Sequence, residues 1–594
     1  MKFYQTYLDV LKNAGEISHA WFTTFNIDPE LVERYLLPPL GKMQAGEMRT
    51  TEDYEELNTE LENKNIRIWY DFRALNSVSP KRTVIPLIPV DPATFGSELF
   101  HPKVIFIKGD CGSWLITGSA NLSIAAWRDN RESVIVRPII YRSQALAIIT
   151  FFEMLDPQAK DLAGWAQTLP NGNPDWDFFH SFLTGNIFEY LSPSETLRIW
   201  SPYFSKHLSG FLKNVSSYGF DSIDLVPDMS PQGKVRITDK ELHDLAELSH
   251  ISFKVITGDD LDVSNHAKVW LSDHKIAVGS WNCTYKGTGI NPLQFNIEAG
   301  IIADISEADR HWLQNTLSDL PYSKLESSTG EELEREWEEV LEKFIYCCRV
   351  SANWETFTYG FEHQDRGQNF NITLPDAPGK RIPVMSVNGK SFRDGFEKVL
   401  ASKTFHVYDQ TGREVYRGYI EENHTSARPV MGYLTVSDLI DSLLRDPSGS
   451  TGSSKVVYDL DNEPGEGGQA EAFLNYQGTH SYYRMFVAFQ LLSDRLEQLH
   501  GNEDELNQLL FRLPGSLLQI RLLITRMEAS SEDEKLFYWF IAQEFNRCLR
   551  QIKDRQPSVQ LDIIETSELL KEMKPTRKDK AFLKLLSKQF AYDL

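Results

Sequence analysis

The chain has 594 residues, a formal net charge of −23, 41% hydrophobic and 12% aromatic residues, enough for three or four units with their own cores at about 150 residues each. It contains no run of about 18 apolar residues able to cross a bilayer, and its opening MKFYQTYLDVLKNAGE lacks the basic start and apolar core of a secretory signal. The five cysteines, odd in number and without CxxC spacing, argue against a disulfide framework or a zinc site, so a cytoplasmic protein with no membrane association is expected.

In chain order, EISHAWFTTFNIDPELVERYLLPPL reads as a strand over Ser18 to Phe25, then a helix begun near Asp28 with Pro29 in its first turn. A polar stretch from Gly46 to Asn65 precedes a second strand, IRIWYDF, and a third apolar run, TVIPLIPVD. Next comes HPKVIFIKGDCGSWLITGSAN, followed by the strand SVIVRPII and a helix over Ser143 to Met154. The stretch Asp156 to Pro193 reads as an insertion or linker whose Trp165, Trp176, Phe178 and Phe179 either stack on bases or pack on the core, packing being favoured. The same order then recurs: strands LRIWSPYFS, DSIDLVPD and FKVITGDD, the segment NHAKVWLSDHKIAVGSWN, the strand NIEAGIIAD and a helix from Ser306.

Beyond it, Thr329 to Phe344 carries a capping box and an apolar stripe on an acidic helix. Residues 346–446 read as a β-rich module in which Asp409-Gln-Thr-Gly412 turns a hairpin, closed by a helix over Val436 to Leu444. Residues 447–469 have the composition of exposed loops, with KVVYDL as one more strand. Residues 470–594 are helical by periodicity, with Tyr482, Phe486, Phe489 and Leu496 taken as core; the basic end of the chain reads as a solvated helix face.

The recurrence extends to the residues that carry chemistry. His101, Lys103, Gly118, Ser119 and Asn121 in the first segment answer His266, Lys268, Gly279, Ser280 and Asn282 in the second, and Asn130-Arg131-Glu132 answers Asn296-Ile297-Glu298. His-x-Lys on a strand places both side chains on one face. Two such copies give one pocket two lysines for phosphate oxygens, two asparagine donors, and two histidines to serve as nucleophile and general acid. That inventory suits a phosphodiester, attacked by one imidazole to give a phosphohistidine while the other protonates the leaving oxygen. Fixed cations stabilise the transferring group, so no metal or other cofactor is called for.

The paired segments resemble the phospholipase D superfamily, whose HxKx4D…GSxN signature is matched by His266, Lys268, Asp273, Gly279, Ser280 and Asn282. The first copy departs from it, with Lys108 at the aspartate position and Asp110 two residues further on. The run SANLSIAAW, Ser119 to Trp127, is also similar to tyrosyl-DNA phosphodiesterases and bacterial nuclease-type members. The resemblance implies a metal-free phosphohistidine mechanism at a pseudo-two-fold axis. The expected fold is α/β: two pseudo-symmetric phospholipase D-like repeats forming one catalytic unit, residues 1–190 and 191–345, then the β-rich module and a helical C-terminal region. It further implies that His101 is the nucleophile and His266 the acid, with Ser119 and Ser280 in support and Glu132 and Glu298 orienting the histidine of the opposite half.

The net negative charge sits awkwardly with a nucleic-acid substrate, because phosphate contacts dominate such affinity. Locally the balance reverses: Lys103, Lys108, Arg128, Arg131, Arg137 and Arg142 face only Asp110, Asp129 and Glu132 between residues 101 and 142. The expected activity is therefore a nuclease, on DNA rather than RNA, in a bacterial defence or restriction system with a helicase or ATPase partner. The alternatives are a phospholipid-cleaving enzyme, for which no interfacial module is evident, and a non-catalytic scaffold that recognises phosphate.

Overall fold

The computed structural model describes residues 2–44, 51–75, 83–84, 86–183, 185–230, 233–257, 263–290, 295–329, 344–363, 369–428, 477–498, 532–554 and 561–566, with isolated positions between 440 and 592. The chain divides into two compact units, Met1–Gly46 with Leu57–Pro429, and Glu47–Glu56 with Val430–Leu594. Except for Thr329, Phe344 and Ile440, the acidic helix expected over Thr329 to Phe344 and the helix over Val436 to Leu444 lie outside the described residues, as do the loops of 447–469 with KVVYDL and most of the basic end.

The first unit is a mixed α/β structure of several sheets. Strands β1 (Ile17–Thr24), β2 (Asn65–Asp71), β3 (Leu87–Val90), β4 (Val104–Gly109), β5 (Ser113–Gly118) and β6 (Val134–Pro138) form one sheet in the order β3-β2-β1-β4-β5-β6. The first three run parallel and the last three antiparallel to their neighbours. A second sheet contains β7 (Trp176–His180), β8 (Ser194–Ser201), β9 (Phe220–Pro227), β10 (Ile251–Ile256), β11 (Val269–Leu271), β12 (Lys275–Gly279), β13 (Ala299–Asp304) and β14 (Leu317–Asp319). Its order is β14-β10-β9-β8-β11-β12-β13-β7, with β8, β9 and β10 parallel and β11, β12 and β13 antiparallel. Strand β13, AGIIAD, is buried at every residue but the last, as an apolar run requires when both faces are covered.

One apolar cluster serves both sheets. Trp21, Trp69, Phe106 and Phe152 pack with Phe178, Ile297, Ala299 and Ile301. Phe178 and Trp176 belong to β7, which adds to β13 at the edge of the second sheet, so these aromatics of the 156–193 stretch are core, with Trp165 packed beside them. The polar stretch ahead of β2 contains a helix, Thr51–Leu61, whose Tyr54, Leu57 and Leu61 recur at helical spacing. Asp28 caps the helical turn at Pro29 by accepting from the Glu30 amide at 2.9 Å.

The β-rich stretch holds β15 (Cys348–Asn353), β16 (Thr358–His363), β17 (Asn371–Thr373), β18 (Ile382–Pro383), β19 (Thr404–Tyr408), β20 (Glu414–Tyr419) and β21 (Glu421–Asn423). They form a three-stranded sheet, β16-β15-β21, and a four-stranded one, β18-β17-β19-β20. The Asp409 carboxylate folds the β19–β20 turn by accepting the amides of Thr411 and Arg413, and Gly412 takes the left-handed conformation there with φ 88°. At the centre lies Glu422, 9% exposed, which receives Lys403 at 2.6 Å, Arg428 at 2.7 Å and the Trp354 indole at 3.0 Å. Lys403 also donates to the Thr83 carbonyl at 2.6 Å, and the hydroxyls of Tyr416 and Tyr70 meet at 3.4 Å, which fastens this module to the first sheet.

In the second unit, helices Gln477–Gln498 and Glu532–Lys553 share a core of Met485, Phe489, Leu492, Leu496, Trp539, Phe545 and Leu549. Phe486, expected in that core, is 37% exposed and touches Phe540 edge-on; it falls off the stripe set by Met485, Phe489 and Leu492. Among the described residues no helix is long and apolar enough to cross a membrane.

Candidate active site

Both His-x-Lys segments lie just ahead of a strand rather than on it: His101 and Lys103 precede β4, and His266 and Lys268 precede β11. The reason lies in where their amides go. The His101 amide donates to the Ile297 carbonyl at 2.9 Å, and the His266 amide donates to the Arg131 carbonyl at 2.9 Å. Each histidine is thereby stitched, in parallel pairing, to the Asn-x-Glu segment of the other sheet.

This stitching delivers the glutamates. His101 Nδ1 lies 2.8 and 3.0 Å from the two carboxylate oxygens of Glu298, and His266 Nδ1 lies 3.0 and 3.1 Å from those of Glu132. The carboxylates are held in turn: Ser119 Oγ donates to Glu132, while Asn130 and Asn296 donate to Glu132 and Glu298 at 3.4 and 3.3 Å. Asn130 and Asn296 stand at matching places in the repeat, two residues ahead of each glutamate. Ser280 and Ser119 tie their strand ends to the glutamate strands through Ala299 and Ser133. Asn121 Oδ1 receives weak donations from Thr24 and the Asn26 amide at 3.4 Å, and Asn282 is 5% exposed with its Oδ1 unpartnered.

Lys103 and Lys268 are 3% and 0% exposed. Their ammonium groups donate to the carbonyls of His101 and His266 at 2.8 and 3.2 Å. Lys268 Nζ is also 3.2 to 3.3 Å from both ring nitrogens of His266, a position over the imidazole and in line with neither lone pair. Burial pulls Lys268 down to about 8, with Glu132, Glu298 and Asp228 resisting, and burial and the charge of Lys268 pull Lys103 well below its ordinary value. Burial and the two lysines likewise hold the His101 imidazole well below 6.5, and burial and Lys268 lower that of His266. The glutamates differ. Burial pushes Glu298 up to about 8, whereas Glu132, also pushed up by burial, is brought below 4.5 by its bond with His266 and by Lys268.

Asp273, grouped with these residues by its motif, is placed elsewhere. It lies in the β11–β12 turn, beyond the end of β11 away from His266, and its carboxylate accepts Ser194 Oγ and the Glu195 amide at 2.8 Å, holding the start of β8. Asp110 does the same in the first sheet, accepting the Glu16 amide at 2.7 Å just before β1. An aspartate two residues later thus reaches the equivalent strand start, which accounts for Lys108 at the motif position. Asp273→Ala is expected to cost about 1–2 kcal/mol of stability, read from urea unfolding, and to leave turnover within a few-fold.

Two aromatic rings flank the histidines without any signal in the motifs. Phe25 lies 5.5 Å from His101, and Tyr203 meets His266 edge-on at 6.2 Å.

No family model and no curated protein matches the sequence. Among solved structures, the chain is similar to a phosphatidylserine synthase from Haemophilus influenzae, with TM-score 0.34 and 12% identity over 57% of this chain and 90% of that one. It is similar to yeast tyrosyl-DNA phosphodiesterase, with TM-score 0.33 and 10% identity over 51% of this chain and 87% of that one. It is also similar to Nuc, a phospholipase D family member from Salmonella typhimurium, with TM-score 0.17 and 15% identity over 25% of this chain and 99% of that one.

Proposed function

We propose that the chain is a phosphodiesterase of the phospholipase D superfamily, built from two fused repeats, and that it hydrolyses nucleic acid, DNA before RNA, through a phosphohistidine. The observation that carries this reading is the crossed pair of dyads, each imidazole backed by the other half's glutamate, beside two buried lysines.

His101, kept neutral, donates Nδ1–H to Glu298 and attacks phosphorus through Nε2. The N–P bond forms as the bond to the leaving oxygen breaks, and His266 Nε2 supplies that oxygen with a proton. Ionised Glu132 and the charge of the entering phosphate favour the imidazolium at His266. Water then attacks the phosphohistidine, passes its proton to His266 and releases His101. Lys103, Lys268 and the amides of Asn121 and Asn282 hold the phosphoryl oxygens throughout. The duplication is supported by the matching strand order around β1 and β8.

The test is incubation with single- and double-stranded DNA and RNA in excess EDTA, beside a His101→Ala/His266→Ala double variant. Cleavage by the wild-type chain alone, with an acid-labile phosphoryl adduct on quenching, is the expected result. Failure on every nucleic acid together with headgroup release from phospholipid vesicles would overturn the substrate and keep the chemistry.

A further inference from the structure

Each histidine segment is locked by a second amide, one residue earlier, and the partner is a carboxylate that no motif contains. Asp71, the last residue of β2 and wholly buried, accepts the Phe100 amide at 3.0 Å through Oδ2. Asp228, directly after β9, accepts the Asn265 amide at 2.7 Å through Oδ1 and Ser264 Oγ at 3.1 Å through Oδ2. β2 and β9 hold the same place in their sheets, next to β1 and β8.

Both carboxylates are clamped by an arginine. Arg73 Nε reaches Asp71 Oδ1 at 2.8 Å, and its Nη2 reaches Asp71 Oδ2 and the Glu98 carbonyl at 2.7 Å. Arg236 Nη1 reaches Asp228 Oδ2 at 2.8 Å, and its guanidinium lies 5.0 Å from the Tyr203 ring that abuts His266. The arginine follows its aspartate by two residues in one half and by eight in the other, so local chain spacing did not generate the likeness. What the halves share is the geometry around the histidine.

We propose that Asp71 with Arg73, and Asp228 with Arg236, are positioning residues that set the aim of His101 and His266. Two consecutive amides are fixed at each site, one by a carboxylate of the same half and the next by a carbonyl of the opposite half. With both fixed, the backbone at the histidine has no freedom to rotate, and Nδ1 is delivered onto its glutamate. A displacement of about 1 Å in such a group costs on the order of 100-fold in rate.

The inference rests on the hydrolytic reading above, and its test separates the two. Asp71→Ala, Asp228→Ala and the corresponding Asn variants are assayed for hydrolysis, melted, and examined as selectively 15N-histidine-labelled protein. The expected result is a loss of about 100-fold in kcat for each Ala variant with KM within about threefold, and recovery of most of it by Asn, which still accepts the amide. In the spectra, Asp71→Ala perturbs the His101 imidazole signals and Asp228→Ala those of His266. Ala variants with wild-type kcat and unchanged imidazole signals would overturn the proposal, as would equal losses in Ala and Asn variants that track melting alone. Absence of hydrolysis by the wild-type chain would sink the hydrolytic reading instead, and the imidazole signals would still decide the positioning.

Discussion

His101→Ala and His266→Ala are each expected to lower phosphodiester hydrolysis by about 10⁴- to 10⁶-fold, and the double variant to fall no further than the worse of the two. The non-additivity follows from the geometry. On the proposed mechanism the two imidazoles act in one displacement, His101 as nucleophile and His266 as acid to the leaving group, so either loss forfeits the whole covalent route. Far-ultraviolet circular dichroism should be unchanged, because the amides that hold each segment belong to the backbone and survive the substitution. Mixing the two single variants tests the alternative in which two chains each supply one histidine: restored turnover in the mixture would contradict a site completed within one chain.

Glu422→Ala is the substitution with the largest expected cost in stability, about 3–5 kcal/mol. The carboxylate is enclosed with Lys403 and Arg428, and its removal leaves two buried cations facing each other with nothing between them. Burial pushes its carboxyl up, yet Lys403 and Arg428 bring it below 4.5, so its contribution is present above that value and is lost as pH falls through the lowered one. Equilibrium unfolding in urea at pH 7 and pH 4 measures both effects. The triple variant Glu422→Leu, Lys403→Met, Arg428→Leu should recover most of the loss, since a well-packed apolar substitute for a buried ion cluster is close to neutral.

The sequence displayed the site because chemistry repeats itself in it: His101 and His266, Lys103 and Lys268, Glu132 and Glu298 recur at matching gaps, and the structure gathers them. Several strands were legible as buried apolar runs, β13 especially. Other features carry no such trace. Asp71 and Asp228 stand about 30 and 40 residues ahead of their histidines, with arginines at different distances, so no pattern links them. Asp273 keeps motif spacing, while its carboxylate accepts Ser194 Oγ and the Glu195 amide at the start of β8, a contact that the spacing does not display. The helix Thr51–Leu61 escaped because its apolar residues are few, and overall polarity masks a sparse helical period.

The bond from Lys403 to the Thr83 carbonyl has a practical meaning for anyone cutting this protein apart. Lys403 lies far down the chain, yet it spends one of its three donors on the segment leading into β3, and Tyr416 meets a tyrosine one residue from Asp71. A fragment ending after the second sheet would bare that flank and leave the Thr83 carbonyl to water, so any cut made before Arg428 forfeits these contacts. Chimaeras that exchange the later module between relatives will have to carry positions 70 and 83 along with it.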